Sequence, residues 1–163
     1  MEGLRPFALD KNSLVPIGQT MMLYNQTKLA PGNFGLLDLN GGANSTPDLA
    51  QWILYGYGNE IALGSGGYVY ISGNPGWRSA LQPDIQAIYG ETIVVPVYDQ
   101  VSGNGQNATY RIIGFVGITI TDSVLTGKNQ YIKCTVSQML SVHDVIIGGN
   151  WTSPNLCKVQ LVY

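Results

Sequence analysis

The chain has 163 residues, enough for one domain with a core of its own. Hydrophobic residues make up 45% and the net charge is only −2, a balance that excludes a disordered chain. Charged residues are 11% of the total and the eight Lys and Arg are scattered, so no basic stripe exists to neutralise a run of phosphates and nucleic acid is excluded as a partner.

Residues 13–39 alternate short apolar runs with turn signals. Thr20 to Tyr24 reads as a strand, Ala30-Pro31-Gly32-Asn33 as a turn and Phe34 to Leu39 as another strand. Asn40 to Ser45 is a loop. A helix start follows: Ser45 or Thr46 can cap, Pro47 suits the first helical position and Asp48 favours the positive end. Leu49, Trp52 and Ile53 fall on one face at helical spacing, and Gly56 and Gly58 stop the helix. Residues 60–71 are rich in β-formers, ending in Tyr68-Val69-Tyr70-Ile71, and Ser72 to Gly76 is a loop.

A second helix is expected over Trp77 to Tyr89, with Leu81, Ile85 and Ile88 apolar. Pro83 allows it to begin only near that point, and Gly90 ends it. Thr92 to Tyr98 is a nearly continuous apolar strand, which implies burial on both faces. Its Pro96 implies a bulge or an edge. Asp99 to Asn107 reads as a polar loop, Tyr110 to Ile120 as a long strand, Gly127-Lys128-Asn129 as a turn, Tyr131 to Ser141 as a strand and Val159 to Tyr163 as the last one. The expected fold is mainly β (α+β): a curved sheet, sandwich or barrel with two short helices inserted mid-chain. The strand after the second helix leaves room for one parallel pairing.

Met1-Glu2-Gly3-Leu4-Arg5 is not a signal peptide, and no stretch of about 18 apolar residues occurs. Either the protein is cytoplasmic, or the chain is an excised part of a longer one that carries an N-terminal membrane segment. The abrupt Arg5-Pro6-Phe7 start favours the second account, with residues 1–163 as a single extracytoplasmic domain. Cys134 and Cys157 fit no zinc or redox spacing. In an oxidising compartment they can close a loop of about 23 residues, worth roughly 3 kcal/mol; otherwise they are two buried thiols.

Candidate sites are few. His143, followed by Asp144, is the lone histidine, and sequence neighbours rarely build a Ser-His-Asp triad. Gly64-Ser65-Gly66-Gly67 lacks the spacing of a nucleophile elbow. Asp38 with Asn40, and Asp99 with Asn104, offer hard oxygens suited to calcium, the one cofactor expected as possible, although no Glu closes an EF-hand loop. Trp77 and Trp151 sit in Gly/Pro/Asn-rich loops where an exposed ring could stack on a sugar, whereas Trp52 belongs to the core. Asp38, Glu60, Asp84, Glu91, Asp99 and Asp122 are the carboxylates from which a glycosidase pair could come. Four Asn-x-Ser/Thr matches, at Asn25, Asn44, Asn107 and Asn150, are expected by chance in so Asn- and Thr-rich a chain.

An ordered set of phrases points further. Arg5-Pro6-Phe7-Ala8, Pro31-Gly32-Asn33-Phe34-Gly35-Leu36-Leu37-Asp38 and Ser72-Gly73-Asn74-Pro75-Gly76 come first. Ala80-Leu81, Val94-Val95-Pro96-Val97-Tyr98-Asp99, Gly103-Asn104-Gly105 and Tyr110-Arg111-Ile112-Ile113-Gly114-Phe115 follow. Over residues 5–120 this order resembles the C-terminal region of TadE/TadG-like Flp pilus-assembly proteins. The resemblance implies an envelope component at the bacterial cell surface or in the periplasm, working in pilus or surface-structure assembly or adhesion. Its partners would be other envelope or pilus subunits, with a surface glycan as the alternative. It implies no catalytic residues. Tyr57 stands where many members carry a cysteine after the glycine, so the family's disulfide is not carried over. The expectation is a non-enzymatic, contact-making domain, with a carbohydrate-binding module as first alternative and a glycan-cleaving hydrolase as second.

Overall fold

A computed structural model describes residues 4–25, 36–41, 46–58, 61–73, 79–103, 108–127, 130–141 and 156–157. The elements are β1 (Leu9–Asp10), β2 (Thr20–Asn25), α1 (Thr46–Tyr55), β3 (Ile61–Ala62), β4 (Val69–Ser72), α2 (Gln82–Ala87), β5 (Thr92–Ser102), β6 (Thr109–Val124), β7 (Tyr131–Ser141) and β8 (Leu156–Cys157). The fold is mainly β with two short mid-chain helices, as the sequence implied. The main sheet runs β1-β5-β6-β7-β2, and β4 joins it on β6. The expected parallel pairing is that of β5 with β1; the other pairs are antiparallel. β3 and β8 form a separate two-stranded ladder.

The spine is β6, 16 residues long. Twice it carries an extra residue of its own. Opposite β5 the pairing jumps from Val97–Gly114 to Tyr98–Ile112, leaving Ile113 extra. Opposite β7 it jumps from Ile120–Cys134 to Asp122–Lys133, leaving Thr121 extra. An extra residue bends its strand and increases local twist, and the sheet curls into a half-barrel.

Each face of the sheet carries a core. On one, Leu49 and Ile53 of α1 and Ile85 and Ile88 at α2 cover Ile93, Val95, Val116, Ile118 and Ile120. On the other, Leu4, Leu37 and Leu63 cover Ile71, Val94, Ile112 and Phe115. Residues 93–97 are therefore buried on both sides, as their apolar run implied. Pro96 lies between the two places where the opening segment meets β5, Leu4–Val94 and Leu9–Val97, so its missing N–H interrupts neither pairing.

Arg5 closes α1. Its buried guanidinium donates from Nε to the Ile53 carbonyl at 3.0 Å and from Nη2 to that of Leu54 at 3.2 Å. Those carbonyls end the helix without intrahelical partners, and a cation there also meets the negative end of the helix dipole. Gly56 follows at φ 85°, the left-handed conformation that stops a helix. α2 starts at Gln82, one residue before Pro83, after a 3₁₀ turn over Ser79–Leu81, so Pro83 sits in its first turn, and it ends before Gly90.

Some expectations are corrected. Leu36 and Leu37 make only isolated bridges, to Phe7 and Gly73, where a strand over Phe34–Leu39 was expected. Leu36 packs into one core and Leu37 and Leu39 into the other, so this apolar run crosses between cores. Residues 99–102 extend β5 where a loop was expected; their polarity reflects exposure at the end of the strand. Residues 60–71 split into β3 and β4 around a turn. The expected turn at Ala30–Asn33 and strand at Val159–Tyr163 lie outside the described residues.

Candidate functional site

The outer end of β6 lies between β4 and β5, and its residues alternate. Tyr110 and Ile112 are buried in the second core, while Arg111 between them is partly exposed. The register sets Tyr70, Arg111 and Gln100 abreast across three strands, and Ser72, Thr109 and Ser102 beside them. Asp99 is an extra residue, because Tyr98 pairs with Ile112 and Gln100 with Arg111. The bulge aims its carboxylate sideways. Arg111 donates from Nε to Oδ1 at 2.8 Å and from Nη2 to Oδ2 at 2.5 Å, a two-pronged ion pair.

The Arg111 guanidinium also lies 5.4 Å from the centre of the Tyr68 ring, within cation–π range. Tyr68 meets Tyr70 edge to face at 5.4 Å. Tyr70 is 58% exposed, Val101 38% and Tyr68 37%. Tyr70, Asp99, Gln100, Ser102, Thr109 and Arg111 line an open groove of about 390 Å³. The hydrogen bond from Arg111 holds the Asp99 carboxyl below its usual range, and Asp99 in turn holds Arg111 above its own. Behind the groove, Tyr98 packs edge to face on Tyr110 at 4.9 Å, and burial, with Asp10 and Tyr110 nearby, raises its hydroxyl.

A second polar cluster fixes α2 to the inner end of β6. Gln82 donates to Ser123 Oγ at 2.9 Å and to the Ser123 carbonyl at 3.0 Å, and accepts from the Leu125 N–H at 2.7 Å. The Tyr89 and Ser123 hydroxyls are 2.6 Å apart. Tyr131 donates to Asp122 at 2.6 Å, which raises its own hydroxyl. Each group here answers another, which is the signature of a structural knot.

Of the residues singled out in the sequence, Trp77, Trp151, Asn104, His143 and Glu60 lie outside the described residues. Asp38 is buried in a turn: its N–H donates to the Ser72 carbonyl at 2.9 Å and its carbonyl accepts from Gly41 at 3.1 Å. Asn40 is exposed in the same turn. Asp99 serves Arg111, so a calcium ion there would have to displace a guanidinium. Among the described residues, no three His, Cys, Asp or Glu side chains group as metal ligands do. Ser65 is exposed in the tight turn from Gly64 to Tyr68. Asp122, a glycosidase candidate, is engaged by Tyr131, while Asp84 on α2 is half-buried and Glu91 exposed.

The sequence leaves Cys134 and Cys157 open between a cross-link and two separate thiols. Cys134 is a free thiol buried in the first core on β7, and burial pushes it up to about 12. Cys157 pairs with Ile61 in the other ladder, so the two backbones belong to different sheets. The residues missed in the sequence are Tyr68, Tyr70 and Arg111. Their signal was present: tyrosines alternating with Val69 and Ile71, and one cation inside the apolar run of β6.

Compared with family models, curated proteins and solved structures, the chain matches none.

Proposed function

We propose that the chain is a non-enzymatic domain of a bacterial cell envelope, extracytoplasmic, serving pilus or surface-structure assembly or adhesion through contact with other envelope subunits. One observation carries this reading. Of the large hydrophobics exposed among the described residues, Tyr68 and Tyr70 gather at the outer end of β4–β6–β5, beside Arg111. Aromatic residues and arginine on a rigid scaffold are the composition of binding hot spots. The resemblance to TadE/TadG-like proteins adds the setting, and described residues of two of its phrases brace this surface. Phe7 bridges Leu36, the Leu37 N–H donates to the Pro6 carbonyl at 3.0 Å, and the Arg5 N–H donates to Val94 at 2.9 Å.

The test is made in the bacterium that carries the gene. Tyr70→Ala combined with Arg111→Ala is expected to leave the protein folded and at normal level, yet to lose its cross-linked envelope partners and reduce surface filaments or adhesion. Unchanged cross-links and unchanged surface structures would sink the reading.

A further inference from the structure

The groove over β4, β6 and β5 has a chemistry narrower than contact in general. We infer that it is a binding site for one or two units of a neutral saccharide, stacked on Tyr70 and hydrogen-bonded by the side chains of Gln100, Ser102 and Thr109. The inference goes beyond the assembly reading and stands or falls without it.

Size comes first. About 390 Å³ lies at the small end of the range for small-ligand sites, about 300–1,000 Å³, and the groove is open at the surface as an exolinear chain of sugars requires. Shape comes second. Tyr68 and Tyr70 are set at 72° to one another, so they form a corner with Tyr70 on the groove side. Tyr68 holds that corner in place between Tyr70 and Arg111. A pyranose ring has an apolar C–H face and a rim of hydroxyls; the face suits an exposed phenol ring and the rim suits the polar wall beside it.

Charge decides the class. The cation in the wall, Arg111, has both prongs closed on Asp99. An anionic ligand would have to compete with a carboxylate already in bidentate geometry, and a cationic one would meet the guanidinium. Gln100, Ser102 and Thr109 remain. One amide and two hydroxyls can donate and accept, and that dual capacity matches sugar hydroxyls, which do both. The closed pair also fixes the wall, since each partner is held by the other and Arg111 lies over the Tyr68 ring as well, so little side-chain ordering is left for binding.

The three groups come from two strands and the aromatic from a third. The site is therefore built by register, and the bulge at Asp99 is what brings the carboxylate to Arg111 and leaves Gln100 opposite it.

The experiment titrates the whole 163-residue chain, labelled with nitrogen-15, with maltose, cellobiose, lactose and diacetylchitobiose, and with glucuronate and galacturonate as charged counterparts. At least one neutral disaccharide is expected to bind in the millimolar range or tighter, shifting the amides of Tyr70, Gln100, Ser102, Thr109 and Arg111. Tyr70→Ala is expected to weaken it at least about tenfold. Tyr55→Ala, an exposed tyrosine on α1, is expected to leave affinity unchanged. Shifts for none of the neutral sugars, shifts centred elsewhere, or tighter binding of the uronates would each overturn the proposal. Loss of partners in the bacterium with sugar binding intact, or the reverse, separates this inference from the assembly reading.

Discussion

The two halves of β6 obey the same alternation and come to opposite ends. In the inner half, Val116, Ile118 and Ile120 lie under the helices, while Thr119, on the opposite face by alternation, meets Thr92 at 3.4 Å and Ser137 at 2.7 Å. Further along that face, Thr20 and Thr135 meet at 3.4 Å. These hydroxyls answer one another across β5, β6, β7 and β2. In the outer half one face is still core, but the other carries Arg111 beside Tyr68 and Tyr70, with ring surface left facing water. The difference teaches that a sheet face becomes a site where its polar groups are held rigid but its apolar groups are not covered.

Substitutions can break that contrast in graded steps. Phe115→Ala should do most harm, because Phe115 is fully buried at the junction of the halves, in the second core. A loss of about 3–5 kcal/mol is expected in denaturant unfolding, and both halves should fail together. Arg5→Ala should cost about 2 kcal/mol, the worth of hydrogen bonds from a charged donor to helix-end carbonyls, with amide exchange rising first at the C-terminal turn of α1. Tyr89→Phe removes one hydroxyl from Ser123 and should cost about 1 kcal/mol, confined to the inner half.

The smallest effect should come from pH. The folded value of Asp99 is lowered, chiefly by its hydrogen bond from Arg111. Its contribution is then present above the ordinary carboxylate value of 3.8 and is lost as pH falls through the lower folded value. The pair is partly exposed, so the contribution is small. Stability curves of the natural chain and of Asp99→Asn are expected to differ slightly at neutral pH and to converge well below pH 3.8. Curves that stay apart there would show that Asp99 acts through something other than its charge.

Much of the frame was legible because local rules and tertiary packing agree. Pro47, Pro83, Gly56 and Gly90 punctuate the helices as their backbone chemistry dictates, and the run at 92–98 is apolar because it is buried twice. The site was not legible. Arg111 and Asp99 are 12 residues apart, and only a bulge turns them toward each other. Alternation alone cannot reveal that. Nor can it show that helices cover one half of a strand and stop short of the other, which is what leaves Tyr68 and Tyr70 in the open.

The placement of the opening segment has a consequence for synthesis. Leu4 and Leu9 pair with Val94 and Val97, and Phe7 needs Leu36. During translation at about 5–20 residues per second, Leu4 and Leu9 would wait on the order of 5–20 seconds for the strand that shelters them. Through that interval Leu4 and Leu9 are unprotected apolar chain, the kind of segment a holding chaperone grips. A segment made early takes its seat only when a strand made about 85 residues later arrives.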